Sequence, residues 1–135
     1  MTVERIFVFA ILIQIFTLVL IIAWGAHVQS YNPRNFLENS LIDIGGISFS
    51  LFSILYFINL YLLYKKRNLG KKLFVPMVFI FIIFSFTTEL LNPSQFLKDL
   101  FYLFIFYIIS PAFFIGQGIL ISIIYLTDLK NKFSV

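Results

Sequence analysis

The chain reads as an all-α integral membrane protein, a four-transmembrane-helix up-down-up-down bundle, and three observations predict it. Residues are 61% hydrophobic and only 12% charged. The apolar residues fall into four runs, Ile6–Ala26, Leu41–Tyr64, Leu73–Leu91 and Leu100–Leu126, each near or above the ~20 residues that span a bilayer core of ~30 Å. The runs are continuous, without the period-two alternation of barrel strands, and helices and closed barrels alone satisfy every backbone group in lipid. With 135 residues, the spans take up most of the length, so residues 1–135 form a single transmembrane domain.

The distribution of Lys and Arg predicts the orientation, because short cytoplasmic loops retain positive charge. Arg5 precedes the first run, Lys65, Lys66, Arg67, Lys71 and Lys72 separate the second from the third, and Lys130 and Lys132 follow the fourth. On the other side stand only Arg34 and Lys98. Both termini are therefore expected in the cytoplasm, in what reads as a bacterial plasma membrane. The net charge of +4 is a topology signal and not a nucleic-acid footprint. Trp24, Tyr31 and Tyr102 fall near the expected outer interface, and Tyr61, Tyr64 and Tyr125 near the inner one, where amphipathic rings settle.

Taken in order, the first run is too long for a signal-peptide core, and cleavage after Ala26 would put bulky Trp24 where a small residue is needed, so it reads as a retained anchor. The second carries Asp43, followed at helical spacing by Gly46, Ser50 and Ser53, a small-residue face for helix packing. The third starts near Pro76, which is expected in a tolerated first-turn position, and carries Ser85, Thr88 and Glu89 towards its outer end. The fourth contains Pro111 in mid-span, which removes a backbone hydrogen bond and predicts a bend, with neighbouring helices or Ser110 satisfying the freed carbonyl. Gly118 and Ser122 form a second, shorter packing stripe.

The two outer connections align without gaps, Asn32-Pro-Arg-Asn-Phe-Leu on Asn92-Pro-Ser-Gln-Phe-Leu. One explanation is a shared helix start, Asn as N-cap and Pro in the first turn. The other is a duplication giving two tandem helical hairpins, as in parallel-repeat transporters, which would put Glu38 and Lys98 at equivalent positions.

Candidate functional positions are few. Asp43 and Glu89 are carboxylates inside spans, where ionisable groups usually face a bundle interior or a wet cavity. Both lie close to the outer interface, which allows ordinary solvation. Facing each other, they would form a proton-binding pair. Gln14, Asn59 and Gln117 lie on three different runs at similar depth, about 8 to 13 Å from the cytoplasmic ends at ~1.5 Å per residue, and read first as interhelical glue.

The absence of cysteine excludes thiolate chemistry, and a single histidine, His27, argues against haem or a multi-His metal centre. Neither Gly45-Gly46 nor Gly116-Gln-Gly118 sits in the strand-to-helix turn that a phosphate loop needs. No cofactor and no catalytic residue is expected. The expected partners are the lipid bilayer and other transmembrane helices, with no nucleic acid. The best reading is a non-enzymatic subunit or partner-binding component of a membrane complex. The alternatives are a homo-oligomeric ion, proton or small-solute channel or transporter using Asp43 and Glu89, and, behind it, an interfacial lipid-modifying enzyme.

Overall fold

A computed structural model of the chain describes the backbone of residues 2–31, 36–91 and 103–133, and side chains over 2–25, 47–85 and 103–133. The described chain is helical throughout: α1 Val3–Tyr31, α2 Phe36–Tyr64, α3 Asn68–Leu91, a π-turn Ile105–Ile109 running into α4 Ser110–Leu126, and a short 3-10 turn Asp128–Lys132. Four of these helical segments are long and apolar enough to cross a membrane. At 29 residues each, α1 and α2 are roughly 44 Å long at 1.5 Å per residue, so each overruns the apolar stretch that nucleates it.

Each helix buries one stripe at spacings of three and four. On α1 the stripe is Phe7, Ala10, Ile11, Gln14, Thr17 and Leu18; on α2 it is Ser53, Tyr56, Asn59, Leu60 and Leu63; on α3 Phe74, Val78 and Phe81; on α4 Phe113, Gln117, Leu120 and Ile124. Side chains at these offsets stack on one helix face. Among the described residues α1 packs most extensively on α4 and α2 on α3, with α1–α2 and α3–α4 packing closing the ring. The Asn-Pro segments that carry the repeat, with Glu38 and Lys98, lie outside the residues whose side chains are described.

The opposite faces are as apolar as the core. Phe9, Leu12 and Phe16 on α1, Leu51, Leu55 and Ile58 on α2, Phe79 and Ile83 on α3, and Ile115 and Ile119 on α4 are all exposed. A large continuous apolar surface of this kind is foreign to a soluble monomer and normal for helices whose outer solvent is lipid.

The lysine-dense connection is shorter than its composition suggests. α2 ends at Tyr64 and α3 already begins at Asn68, so Lys71 and Lys72 belong to a helix. A Schellman turn makes this compactness possible: Lys66 is left-handed with φ 53, its N–H donates to Leu63 O at 2.8 Å, and Arg67 N–H donates to Leu62 O at 2.9 Å. Glycine usually takes this position. Here the left-handed residue is a lysine, whose Nζ donates to Glu4 Oε1 at 3.0 Å.

Gly70 is the glycine this turn requires. A Cβ there would stand 2.8 Å from Leu63 N and 2.9 Å from Leu62 Cβ, so the first turn of α3 rests directly on the backbone at the end of α2. Gly70→Ala is accordingly expected to destabilise the bundle by about 1–3 kcal/mol through overpacking against an unyielding backbone. Gly118→Ala, where a Cβ meets nothing within 4 Å, is expected to be neutral or stabilising by up to ~1 kcal/mol from helix propensity. Unfolding titrations with SDS in mixed micelles read both; equal effects would contradict the packing.

The same end of the bundle gathers the cations among the described residues. Lys132 Nζ also donates to Glu4 Oε1, at 2.7 Å, so one carboxylate oxygen ties the start of α1 to the α2–α3 turn and to the segment after α4. Glu4 is half-exposed, and such pairs set register more than stability. Tyr125 OH donates to Lys71 O at 3.0 Å, while Lys71 Nζ lies 4.9 Å from the Tyr125 ring centroid. Phe133 packs edge-on against Phe7 at 6.2 Å, and Thr127 caps the final turn by accepting from Leu129 N.

One of the two interior prolines corrects the sequence reading. Pro76 is not a first-turn residue, because α3 starts eight positions earlier at Asn68. Its missing N–H leaves the Lys72 carbonyl without its helical donor, at the exposed, lysine-bearing start of the helix. Ahead of Pro111 the helix widens into the π-turn Ile105–Ile109, with Ser110 N–H donating to Ile105 O. The disruption expected at Pro111 takes the form of an i→i+5 turn just ahead of it.

Candidate functional site

The most polar part of the buried interior is centred on Tyr56, a residue that the sequence reading did not single out. Tyr56 is completely buried, on the inner stripe of α2. Its hydroxyl donates to Gln14 Oε1 on α1 at 2.7 Å and accepts from Gln117 Nε2 on α4 at 3.2 Å. Gln14 Nε2 in turn donates to the Phe113 carbonyl of α4 at 2.7 Å. Three helices are thereby joined through one phenol.

The direction of every bond follows from donor and acceptor chemistry. The backbone carbonyl of Phe113 only accepts, so it must face the Gln14 NH2 group, which turns Oε1 towards Tyr56. The single hydroxyl hydrogen of Tyr56 is therefore committed to Gln14. Gln117 must then present its NH2 group to the hydroxyl, and its Oε1 faces away.

Gly116 makes the arrangement sterically feasible. A Cβ at this position would overlap Gln14 Nε2, well inside 3.0 Å, so the amide reaches the Phe113 carbonyl only because α4 has no side chain there. Of the two glycines in Gly116-Gln-Gly118, the one that admits a neighbouring helix is Gly116. Gly118 and Ser122, expected as a packing stripe, face out of the bundle: nothing lies within 4 Å of a Cβ on Gly118, and Ser122 Oγ donates to Gly118 O at 2.9 Å. On α2, Ser53 is buried and donates to Phe49 O at 2.8 Å, whereas Ser50 is exposed.

Aromatic rings fill the space around the phenol. Phe81 meets Tyr56 edge-on at 4.8 Å and Phe113 at 5.0 Å; Phe74 lies 6.0 Å from Tyr56. Edge-to-face pairs at these separations add to area burial. Thr17, also buried, is satisfied within its own helix by donating to Ile13 O at 2.8 Å.

Asn59 stands one turn from Tyr56 on the same helix and is 1% exposed, yet neither its Nδ2 nor its Oδ1 has a hydrogen-bond partner; the same holds for Gln117 Oε1. The three amides read from the sequence thus divide into two that Tyr56 links and one that it does not. Asp43, Glu89 and Gly46 lie outside the residues whose side chains are described. Among the described residues no group of three or more His, Cys, Asp or Glu comes together to hold a metal ion.

Tyr56 had a sequence signature. It lies eight residues from Tyr64, about 12 Å into the span, well away from the interfacial belt and level with the amides. A phenol at that depth needs a partner for its hydroxyl. Gly116 could be found only by knowing which face of α4 meets α1.

No protein-family model, curated protein or solved structure matches the chain.

Proposed function

We propose that this chain is a non-enzymatic, membrane-embedded component of a larger complex, with both termini and the lysine-dense turn in the cytoplasm and the outer helix faces engaging lipid and the transmembrane helices of a partner. The observation that carries this reading is the division of labour between the two sides of each helix. Inward, Tyr56, Gln14 and Gln117 are joined by hydrogen bonds, and Phe74, Phe81 and Phe113 pack around the phenol. Outward, every helix presents large apolar side chains.

The filled interior also weighs against conduction through a single copy, since Tyr56, Leu60, Leu63 and Leu120 are all at most 1% exposed along the bundle axis. The outward-facing Gly118 and Ser122 favour close approach by a helix from another chain, small residues being how membrane helices bring their backbones together. A homo-oligomeric channel using Asp43 and Glu89 would have to form its path between copies.

The chain lacks cysteine, so a single Gly118→Cys substitution carries a photo-crosslinker without background. In native membranes it is expected to crosslink to one partner chain of different sequence, identified by mass spectrometry, and Gly118→Leu is expected to reduce recovery of that chain while leaving the monomer folded. Crosslinking only to further copies of the same chain, together with ion flux in liposomes that Asp43→Asn abolishes, would overturn the proposal in favour of the channel.

A further inference from the structure

We propose that the outer face of α2 binds an anionic phospholipid of the surrounding bilayer, with the headgroup phosphate on Lys65 and an acyl chain along Ile58, Ile54 and Leu51. The inference rests on the membrane-spanning part of the function proposed above, and on neither the identity of the partner nor the orientation.

Leu51, Ile54, Ile58, Tyr61 and Lys65 follow one another at alternating offsets of three and four, which puts them in one line along the helix. All five are exposed. The line runs from aliphatic through aromatic to cationic, in the order in which a bilayer passes from hydrocarbon through interface to headgroup. Its length fits as well. At ~1.5 Å per residue the distance from Lys65 to Leu51 is about 21 Å, enough for a headgroup contact and the ~15 Å of hydrocarbon in one leaflet.

Lys65 is held over this line by its neighbours. Its Nζ lies 5.8 Å from the Tyr61 ring centroid and 6.0 Å from that of Tyr64, so two exposed rings keep the ammonium on the outer surface of α2. Contacts of this kind leave N–H groups on the far side of the ammonium for an anion. Lys66 is directed elsewhere, donating to Glu4 Oε1 at 3.0 Å.

Nearby acids do not cancel the charge on Lys65. No Asp or Glu occurs from Ile47 to Lys65, and the acids of this end among the described residues, Glu4 and Asp128, line a cavity between the start of α1 and the segment after α4. Lys66 and Lys132 both donate to Glu4. Arg67 and Lys72 are exposed and add to the positive potential of the turn, and each such cation near a membrane surface favours an anionic headgroup. A lipid fits this face better than a partner helix does, because no small residue stands in the line to let a second backbone approach.

The test uses the full chain in nanodiscs of mixed phosphatidylcholine and phosphatidylglycerol, with a photo-crosslinker on Ile58→Cys. Capture of phosphatidylglycerol is expected to exceed its share of the lipid by about fivefold, the factor that one lysine at the surface supplies, and to fall as salt screens the pair. Adding Lys65→Gln should return capture to that share. Lys130→Gln, which removes the same charge at the same end but off this line, should leave capture largely unchanged. Capture in proportion to the mixture before either lysine is altered would overturn the proposal, as would equal losses with the two lysine variants, the mark of diffuse attraction to net charge. In native membranes, a protein chain crosslinked at position 58 in place of lipid would also overturn it. None of these outcomes removes the crosslink expected at Gly118, so failure here and failure of the proposed function are told apart.

Discussion

Gly116→Val is expected to destabilise the bundle by about 2–4 kcal/mol, the combined effect of overpacking a filled interior and expelling Gln14 from its two buried hydrogen bonds. The clash is with the far end of a flexible side chain, which ordinarily swings away at little cost. Gln14 has no such freedom. Its NH2 group is fixed on the Phe113 carbonyl and its oxygen on Tyr56, and it is completely buried. The specific sign of this mechanism is non-additivity, since residues that share a contact couple when both are changed. With Gln14→Ala already present, the space taken by the amide is free, and Gly116→Ala should then cost far less than it does in the unaltered chain. SDS unfolding titrations of the two single variants and the double variant read this. Strict additivity would mean that Gly116 serves some purpose other than admitting Gln14.

Tyr56→Phe is the second large effect, expected at about 2 kcal/mol although it removes a single oxygen and keeps the ring. The loss leaves Gln14 Oε1 and the Gln117 NH2 group without partners in a buried interior, and stranding a buried group costs more than the net worth of the bond it made. Interhelical hydrogen bonds in membranes average well below 2 kcal/mol, so an effect this large reflects two stranded partners. Replacing Gln14 and Gln117 by Leu should make Tyr56→Phe nearly neutral, because no polar group remains to be stranded. If Tyr56→Phe is neutral in the unaltered chain, the cluster is not holding α1, α2 and α4 together.

These residues also show how far the amino-acid sequence could be read. The four long apolar helices were legible because few sequences reach that length and apolarity by accident. That Gln14 and Gln117 fall at one level was legible too, because the rise per residue is constant along a helix. The inner face of each helix was not. In a soluble helix the boundary between polar and apolar sides marks the core, but here Phe9 on the outer surface is as hydrophobic as Phe7 inside, and periodicity carries little information. That is why Gly118 was read as the packing glycine when Gly116 receives Gln14, and why Tyr56 escaped notice beside tyrosines with a ready interfacial explanation.

Turn geometry was hidden for a different reason. A run of lysines signals a solvated connection, and nothing in it reveals that Lys66 adopts the left-handed conformation usually reserved for glycine. The early start of α3, two turns before Pro76, follows from that compact turn and from the close seat that Gly70 gives the first turn of α3 on α2. The widened turn before Pro111 was signalled only as a disruption. Asp43 and Glu89, the carboxylates that the sequence raised most strongly, lie where no side chain is described, and Asp43→Asn in the flux measurement tests the first of them.

The most direct measurement is the accessibility of single cysteines to a membrane-impermeant maleimide, for which this cysteine-free chain is well suited. If four helices cross the bilayer with the lysine-dense end inside, Arg34→Cys and Ser94→Cys are labelled in intact cells, whereas Lys65→Cys and Lys130→Cys are labelled only after permeabilisation. Labelling of positions 65 and 130 in intact cells, with 34 and 94 protected, would contradict that arrangement.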